Sequence, residues 1–115
     1  MTTSNNVLTS ISSQEFKTLI DSRSTNDVIL DIRTPGEYAE GHIKGAQLLD
    51  YYKKTFIDEL GALSKSTTYY MYCRSGNRSG HTLKIMKKLN FKNVYNLKLG
   101  ISEWISLEYP VFVNL

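Results

Sequence analysis

At 115 residues the chain has room for one hydrophobic core and is short for two domains of ordinary size, so residues 1–115 are expected to form one domain. Hydrophobic residues at 41% and charged residues at 22% exclude wholesale disorder and a fibrous repeat, and a net charge of +3 favours anionic partners. The single cysteine, Cys73, excludes an internal disulfide framework, and with only His42 and His81 beside it no structural metal site is expected. No run approaches the roughly 18–20 apolar residues of a membrane span, and the first twenty residues lack the pattern of a secretory signal. No membrane partner is expected, and the cytoplasm is the expected location, where reducing conditions suit a free thiol.

In chain order, Val7 to Ile11 reads as a strand, and Ser12 with Glu15 three residues on forms a helix-start pair ahead of Phe16, Leu19 and Ile20 at helical spacing. The β-branched run Val28 to Ile32 reads as a buried strand with Asp31 near its C-terminal end. Residues 34–41, TPGEYAEG, mark both ends of a short helix: Thr34 as cap, Pro35 at the first position, Glu37 closing a capping box and Gly41 as the stop. Ala46 to Leu49 is a third, weak strand, and Lys54 to Leu63 a helix with Phe56, Ile57, Leu60 and Leu63 on one side. Thr68 to Tyr72 is a fourth strand that runs into Cys73. Arg78 to Asn90 is a helix with Thr82, Leu83, Ile85, Met86 and Leu89 inward and Lys84, Lys87 and Lys88 outward. Asn93 to Leu97 is a fifth strand, Ile101 to Leu107 a last helix, and Pro110 is expected to end regular structure. Alternation at this spacing predicts an α/β fold, with a parallel sheet of about five strands and helices on both faces.

The segment with chemistry is YYMYCRSGNRSG, residues 69–80, in which a strand ends in cysteine, turns and enters a helix. Ligands of open α/β sheets bind at the carboxyl ends of strands, where this thiol lies. Arg74, Ser75, Gly76, Asn77, Arg78 and Ser79 supply six successive backbone N–H groups, and Gly76 allows the chain to curl so that several aim at one centre. With the helix N-terminus and the guanidinium groups of Arg74 and Arg78, this is an environment that favours a thiolate and holds anions. The loop contains no histidine, and the backbone donors and arginines suffice to activate a thiol, so a Cys-His pair with His42 or His81 is not expected.

The motifs DIRTPGEYAEGHIKGA at residues 31–46 and YCRSGNRSG at residues 72–80, with a weaker LKLGISEWISLEYPV at residues 97–111, resemble the single-domain rhodaneses, a sulfurtransferase family. The resemblance implies that Cys73 takes the outer sulfur of a small anionic donor such as thiosulfate, and passes it from a persulfide to a protein or thiol acceptor. It further implies that residues 74–79 cradle the persulfide, that Arg78 meets the departing anion, and that no cofactor takes part. Related phosphatases have five residues between cysteine and arginine, whereas four intervene between Cys73 and Arg78, which argues against phosphatase or arsenate reductase chemistry. Two positions depart from the family pattern: Lys44 stands where proline is common, and Leu99 where glycine is common, so the turn at residues 97–100 is expected to differ in shape.

Asp31 and Arg33 admit two readings, an exposed ion pair or supports for the loop, as the resemblance implies. Glu37 and His42 read as structural, one at a helix start and the other in a turn. Tyr69, Tyr70 and Tyr72 read as strand packing, while Tyr51 and Tyr52 have no assigned place. The lysine face at Lys84, Lys87, Lys88 and Lys92 reads as solvated helix surface that is also able to steer anions, and no nucleic-acid signature is present. The rival to a sulfurtransferase is a non-catalytic module that uses the same cradle to bind anions or partners.

Overall fold

The computed structural model describes residues 6–113; residues 1–5 and 114–115 of the expected domain lie outside the described residues. The elements are β1 (Val7–Ile11), α1 (Ser13–Asp21), β2 (Val28–Asp31), α2 (Pro35–Glu40), β3 (Gln47–Leu48), α3 (Phe56–Gly61), β4 (Thr68–Tyr72), α4 (Asn77–Lys88), β5 (Asn93–Leu97) and α5 (Gly100–Ser106). All strands pair in parallel in the order β1-β5-β4-β2-β3, which places β4 in the centre of the sheet.

Two-residue alternation along the strands divides the apolar side chains between two cores. Leu30, Met71 and Val94 pack with Phe56, Leu60, Leu83, Met86 and Phe91, and Cys73 belongs to this cluster. On the other face Ile29, Tyr70, Tyr72 and Leu97 pack with Phe16, Ile20, Ile101 and Trp104. Because both faces of the sheet are covered, β2 and β4 are apolar on successive residues rather than alternately. This is the expected α/β architecture. Among the described residues, no helix is long and apolar enough to cross a membrane.

The helix ends follow local chemistry. Ser12 accepts from Glu15 N at 3.2 Å, and Thr34 and Glu37 form the reciprocal capping box over Pro35. The differences lie where tertiary packing overrides propensity. α3 is only Phe56–Gly61, and its single buried stripe is Phe56 and Leu60. Ile57, one residue or roughly 100° round the helix from Phe56, is 51% exposed rather than inward. Pro110 does not end regular pairing: Phe112 exchanges both backbone hydrogen bonds with His42, at 3.0 and 2.6 Å, so the C-terminal segment is tied to the turn after α2.

Phe16 is completely buried and meets Tyr70 and Trp104 edge-on, with ring centroids 6.0 Å apart in each case. Its truncation in Phe16→Ala is expected to cost about 3–5 kcal/mol of stability. Denaturant unfolding checks this, and a loss under about 1 kcal/mol would mean that the site refills.

Candidate functional site

Cys73 follows β4 directly and is 1% exposed. Its Sγ accepts from Gly76 N at 3.1 Å and from Ser79 N at 3.4 Å, and lies 3.3 Å from Ser79 Oγ. The Ser79 hydroxyl is also 3.4 Å from the Gly76 carbonyl oxygen, so it accepts from a thiol while donating to that carbonyl, and can turn to donate to a thiolate. Two of the six backbone N–H groups therefore contact the sulfur directly. The side chains of Arg74, Ser75 and Asn77 are exposed at the rim, and Arg78 is half-buried.

The curl is possible because Gly76, the N-cap of α4, has φ +101°, in the left-handed region that favours glycine. A Cβ there would stand 2.1 Å from Lys98 O, and one at Gly100 (φ +70°) would stand 2.2 Å from Arg74 O. The turn at residues 97–100 and the start of α5 lie against the cysteine loop at backbone distance. Ile101 N donates to Cys73 O and Ser102 N to Arg74 O, both at 3.0 Å. Leu99 has φ −104°, an ordinary angle for a side-chain-bearing residue, and its side chain is half exposed. Glycine is needed at position 100 and not at 99, so the departure at Leu99 leaves the packing against the cysteine loop in place.

Of the two loop arginines, Arg78 is engaged. Its Nη1 and Nη2 donate to Glu37 Oε1 and Oε2 at 2.8 and 2.9 Å, and its guanidinium carbon is 5.5 Å from the centroid of the Tyr52 ring. The Arg78 hydrogen bonds hold the Glu37 carboxyl down at about 2, against the opposition of burial and with help from Thr34. The same hydrogen bonds raise the Arg78 guanidinium further above its ordinary value. No carboxylate pairs with Arg74 among the described residues.

Asp31 and Arg33 are a buried pair rather than an exposed one, with side chains 0% and 6% accessible. Arg33 binds both Asp31 oxygens at 2.7–3.2 Å and donates to Gly41 O at 2.7 Å. Burial opposes the Arg33 charge, but the Asp31 hydrogen bond and attraction outweigh it and raise the guanidinium above its ordinary value. None of the hydrogen bonds of this pair reaches residues 73–79. Its effect is on the turn that ends α2. Burial likewise pushes the Tyr72 phenol up, and its hydroxyl accepts from Ile43 N at 3.0 Å. His42 donates from Nδ1 to Tyr38 O at 2.9 Å and stacks on the Tyr38 ring, and His81 Nδ1 is 2.8 Å from the Tyr51 hydroxyl. Neither histidine hydrogen-bonds Cys73.

The loop after β4 is legible in the sequence, and the groups that surround it are not. Glu37 is legible as a capping residue, but a carboxylate in a capping box carries no local sign of a second partner 41 residues away. Tyr52 and Gly100 are also contributed from outside the cysteine motif. A groove of about 280 Å³ beside the loop is lined by Arg33, Arg74, Glu37, Glu40, Ile101 and Ser102, among others. It lies just under the roughly 300–1,000 Å³ of drug-sized sites, in keeping with a small ligand.

Two outcomes are expected. Gly100→Ala forces a side chain into the left-handed region and against Arg74 O, and should lose at least about 1–2 kcal/mol in denaturant melts. Because the Glu37 carboxyl is lowered from 4.5 to about 2, the stability it contributes is complete above about pH 4.5 and is lost as the pH falls toward about 2. The wild-type Tm should therefore drop more steeply than that of Glu37→Gln between about pH 5 and about pH 2.5. A Tm difference that stays constant over that range contradicts the ion pair.

A family model described as a rhodanese-like domain matches residues 12–107. Over 88 residues the chain is 34% identical to a sulfurtransferase of Allochromatium vinosum, which covers 76% of this chain and 80% of that protein. It is 31% identical over 88 residues to the thiosulfate sulfurtransferase GlpE of Pseudomonas paraeruginosa, covering 76% and 77% of the two chains. It is also 31% identical over 103 residues to the probable adenylyltransferase/sulfurtransferase MoeZ of Mycobacterium tuberculosis, covering 90% of this chain but only 26% of that protein's length. Among solved structures, a rhodanese-like domain protein from Staphylococcus aureus superposes with a TM-score of 0.75 at 26% identity, covering 92% of this chain and 98% of that one. A rhodanese-related protein from Thermoplasma volcanium, with a TM-score of 0.78 at 24% identity and coverage of 91% and 98%, shares the fold. The chain belongs to the rhodanese-like domain family.

Proposed function

We propose that the protein is a rhodanese-type sulfurtransferase in which Cys73 is the nucleophile and sulfur carrier. The observation that supports this most directly is the convergence of Gly76 N, Ser79 N and the Ser79 hydroxyl on a thiol at the end of the central strand. Donors fixed in advance around a sulfur stabilise negative charge there without reorganisation, by the logic of an oxyanion hole.

With thiosulfate the reaction is a displacement at the outer sulfur of the donor. The Cys73 thiolate attacks the outer sulfur, a bond forms from Sγ to that sulfur, the sulfur–sulfur bond of the donor breaks, and the electron pair leaves on sulfite. The terminal sulfur then carries the charge within the cradle of residues 74–79, and an acceptor nucleophile such as cyanide or a thiolate removes it and regenerates the Cys73 thiolate. Arg74 at the rim and the guanidinium donors that Arg78 does not spend on Glu37 are the contacts we assign to the anionic leaving group. Asp31 and Arg33 support the site through the turn at Gly41. Each anion is small, as the groove volume favours. The name of the Pseudomonas relative makes thiosulfate the donor to try first.

Incubation with thiosulfate is expected to add one sulfur atom to the intact mass, lost again on addition of cyanide with release of thiocyanate. Cys73→Ser should show neither the mass gain nor thiocyanate formation above the uncatalysed rate. Wild-type turnover in the serine variant would refute the mechanism.

A further inference from the structure

The ion pair between Glu37 and Arg78 joins the two motifs of the chain at the edge of the sulfur cradle, and it changes what the cradle presents to a donor. Arg78 is five residues from the sulfur, and both described hydrogen bonds of its guanidinium go to one carboxylate. That carboxylate is held in place by Thr34 as well, accepting from Thr34 N at 3.1 Å. The charge of Arg78 is thus balanced by a fixed anion rather than by solvent, and that anion lines the same groove as Arg74.

We propose that Glu37 is a specificity-determining residue, which sets the donor charge that the cradle accepts by neutralising Arg78 and so disfavours dianions relative to monoanions. The inference rests on the sulfurtransferase reading and names the substrate property that the site selects. Its physical basis is that Coulomb energy scales with the charge of the donor. A carboxylate near the site penalises a dianion such as thiosulfate twice as strongly as a monoanion of the same reacting end. A monoanionic sulfane-sulfur donor, with its sulfur–sulfur bond cleaved in the same way, meets half the penalty. The remaining cation, Arg74, is exposed at the rim and screened by water and salt.

Glu37→Gln is the informative substitution, because glutamine is compatible with a capping box and still offers an oxygen to Arg78 while removing the charge. Thiosulfate is compared with the methanethiosulfonate anion, which carries one charge fewer and releases methanesulfinate where thiosulfate releases sulfite. In Glu37→Gln, KM for thiosulfate is expected to fall about fivefold and KM for methanethiosulfonate about twofold, with kcat for each within about twofold of wild type. Glu15→Gln removes the same charge from an exposed position outside the groove, with no ion pair among the described residues, and it should leave both KM values unchanged. Glu37→Asp keeps the charge but is too short for both hydrogen bonds, so it should not lower KM for thiosulfate. A comparison of Tm values shows that each variant is folded.

Equal shifts for the two donors, a rise in KM for thiosulfate, or the same fall in Glu37→Asp as in Glu37→Gln would overturn the charge role and leave Glu37 as a structural brace. A wild-type protein that gains sulfur from neither donor would overturn the transferase reading, and this inference with it. Sulfur gain with donor-independent effects would overturn only the role of Glu37.

Discussion

Everything in the candidate site hangs on the interlock between the turn after β4 and the turn after β5. The strand order makes β4 and β5 neighbours, so their carboxyl ends deliver the two turns side by side. The α5 amides of Ile101 and Ser102 take the carbonyls of Cys73 and Arg74. In a planar trans peptide the C=O and the following N–H point in opposite directions, so the N–H groups of Arg74 and Ser75 are turned away from α5. Two glycines make the approach possible, since a side chain at either Gly76 or Gly100 would overlap a carbonyl of the other turn. The backbone donors that reach the sulfur, Gly76 N and Ser79 N, come from the loop held in this way, the buried Ser79 hydroxyl joins them, and the side chains of Arg74, Ser75 and Asn77 face outward.

The electrostatics of the site are local rather than a consequence of net charge. Three arginines lie near the loop, and two are matched to carboxylates: Arg33 with Asp31 in the interior, and Arg78 with Glu37 at the edge. The two pairs are mechanically linked. Arg33 holds Gly41 O, the turn that ends α2, while Glu37 at the start of α2 holds Arg78. Helix α2, six residues long, thus joins a buried charge pair to the cradle. Breaking the buried pair by removing one partner would leave an uncompensated charge in the core, which is far costlier than losing an exposed pair. Much of the excess positive charge sits elsewhere, on the exposed Lys84, Lys87 and Lys88 face of α4.

The sequence made the α/β alternation, both capping boundaries and the strand–cysteine–helix passage legible, because each is written in residues close together in the chain. The β-branched and aromatic strand runs, the period-3.6 patterns, Ser12 with Glu15, Thr34 with Glu37, and the glycine of CRSGN are short-range signals that tertiary packing reinforced. The limits of helix α3, the exposure of Ile57 and the pairing beyond Pro110 were not legible. A six-residue helix buries only what the sheet above it has space for, and the bridge from Phe112 to His42 depends on where the chain returns in space.

The amino-acid order alone determined that one thiol would emerge at a strand end, ahead of a glycine-containing turn and a helix, since strand, turn and helix propensities there are all local. Only the tertiary structure decided how that turn is held and which charges surround it. Glu37 meets Arg78 from 41 residues away, Tyr52 lies by the same guanidinium, and Gly100 bears on Arg74 from across the β4–β5 boundary. These contacts depend on the order of strands in the sheet, and no periodicity within a single segment records which strand will be its neighbour.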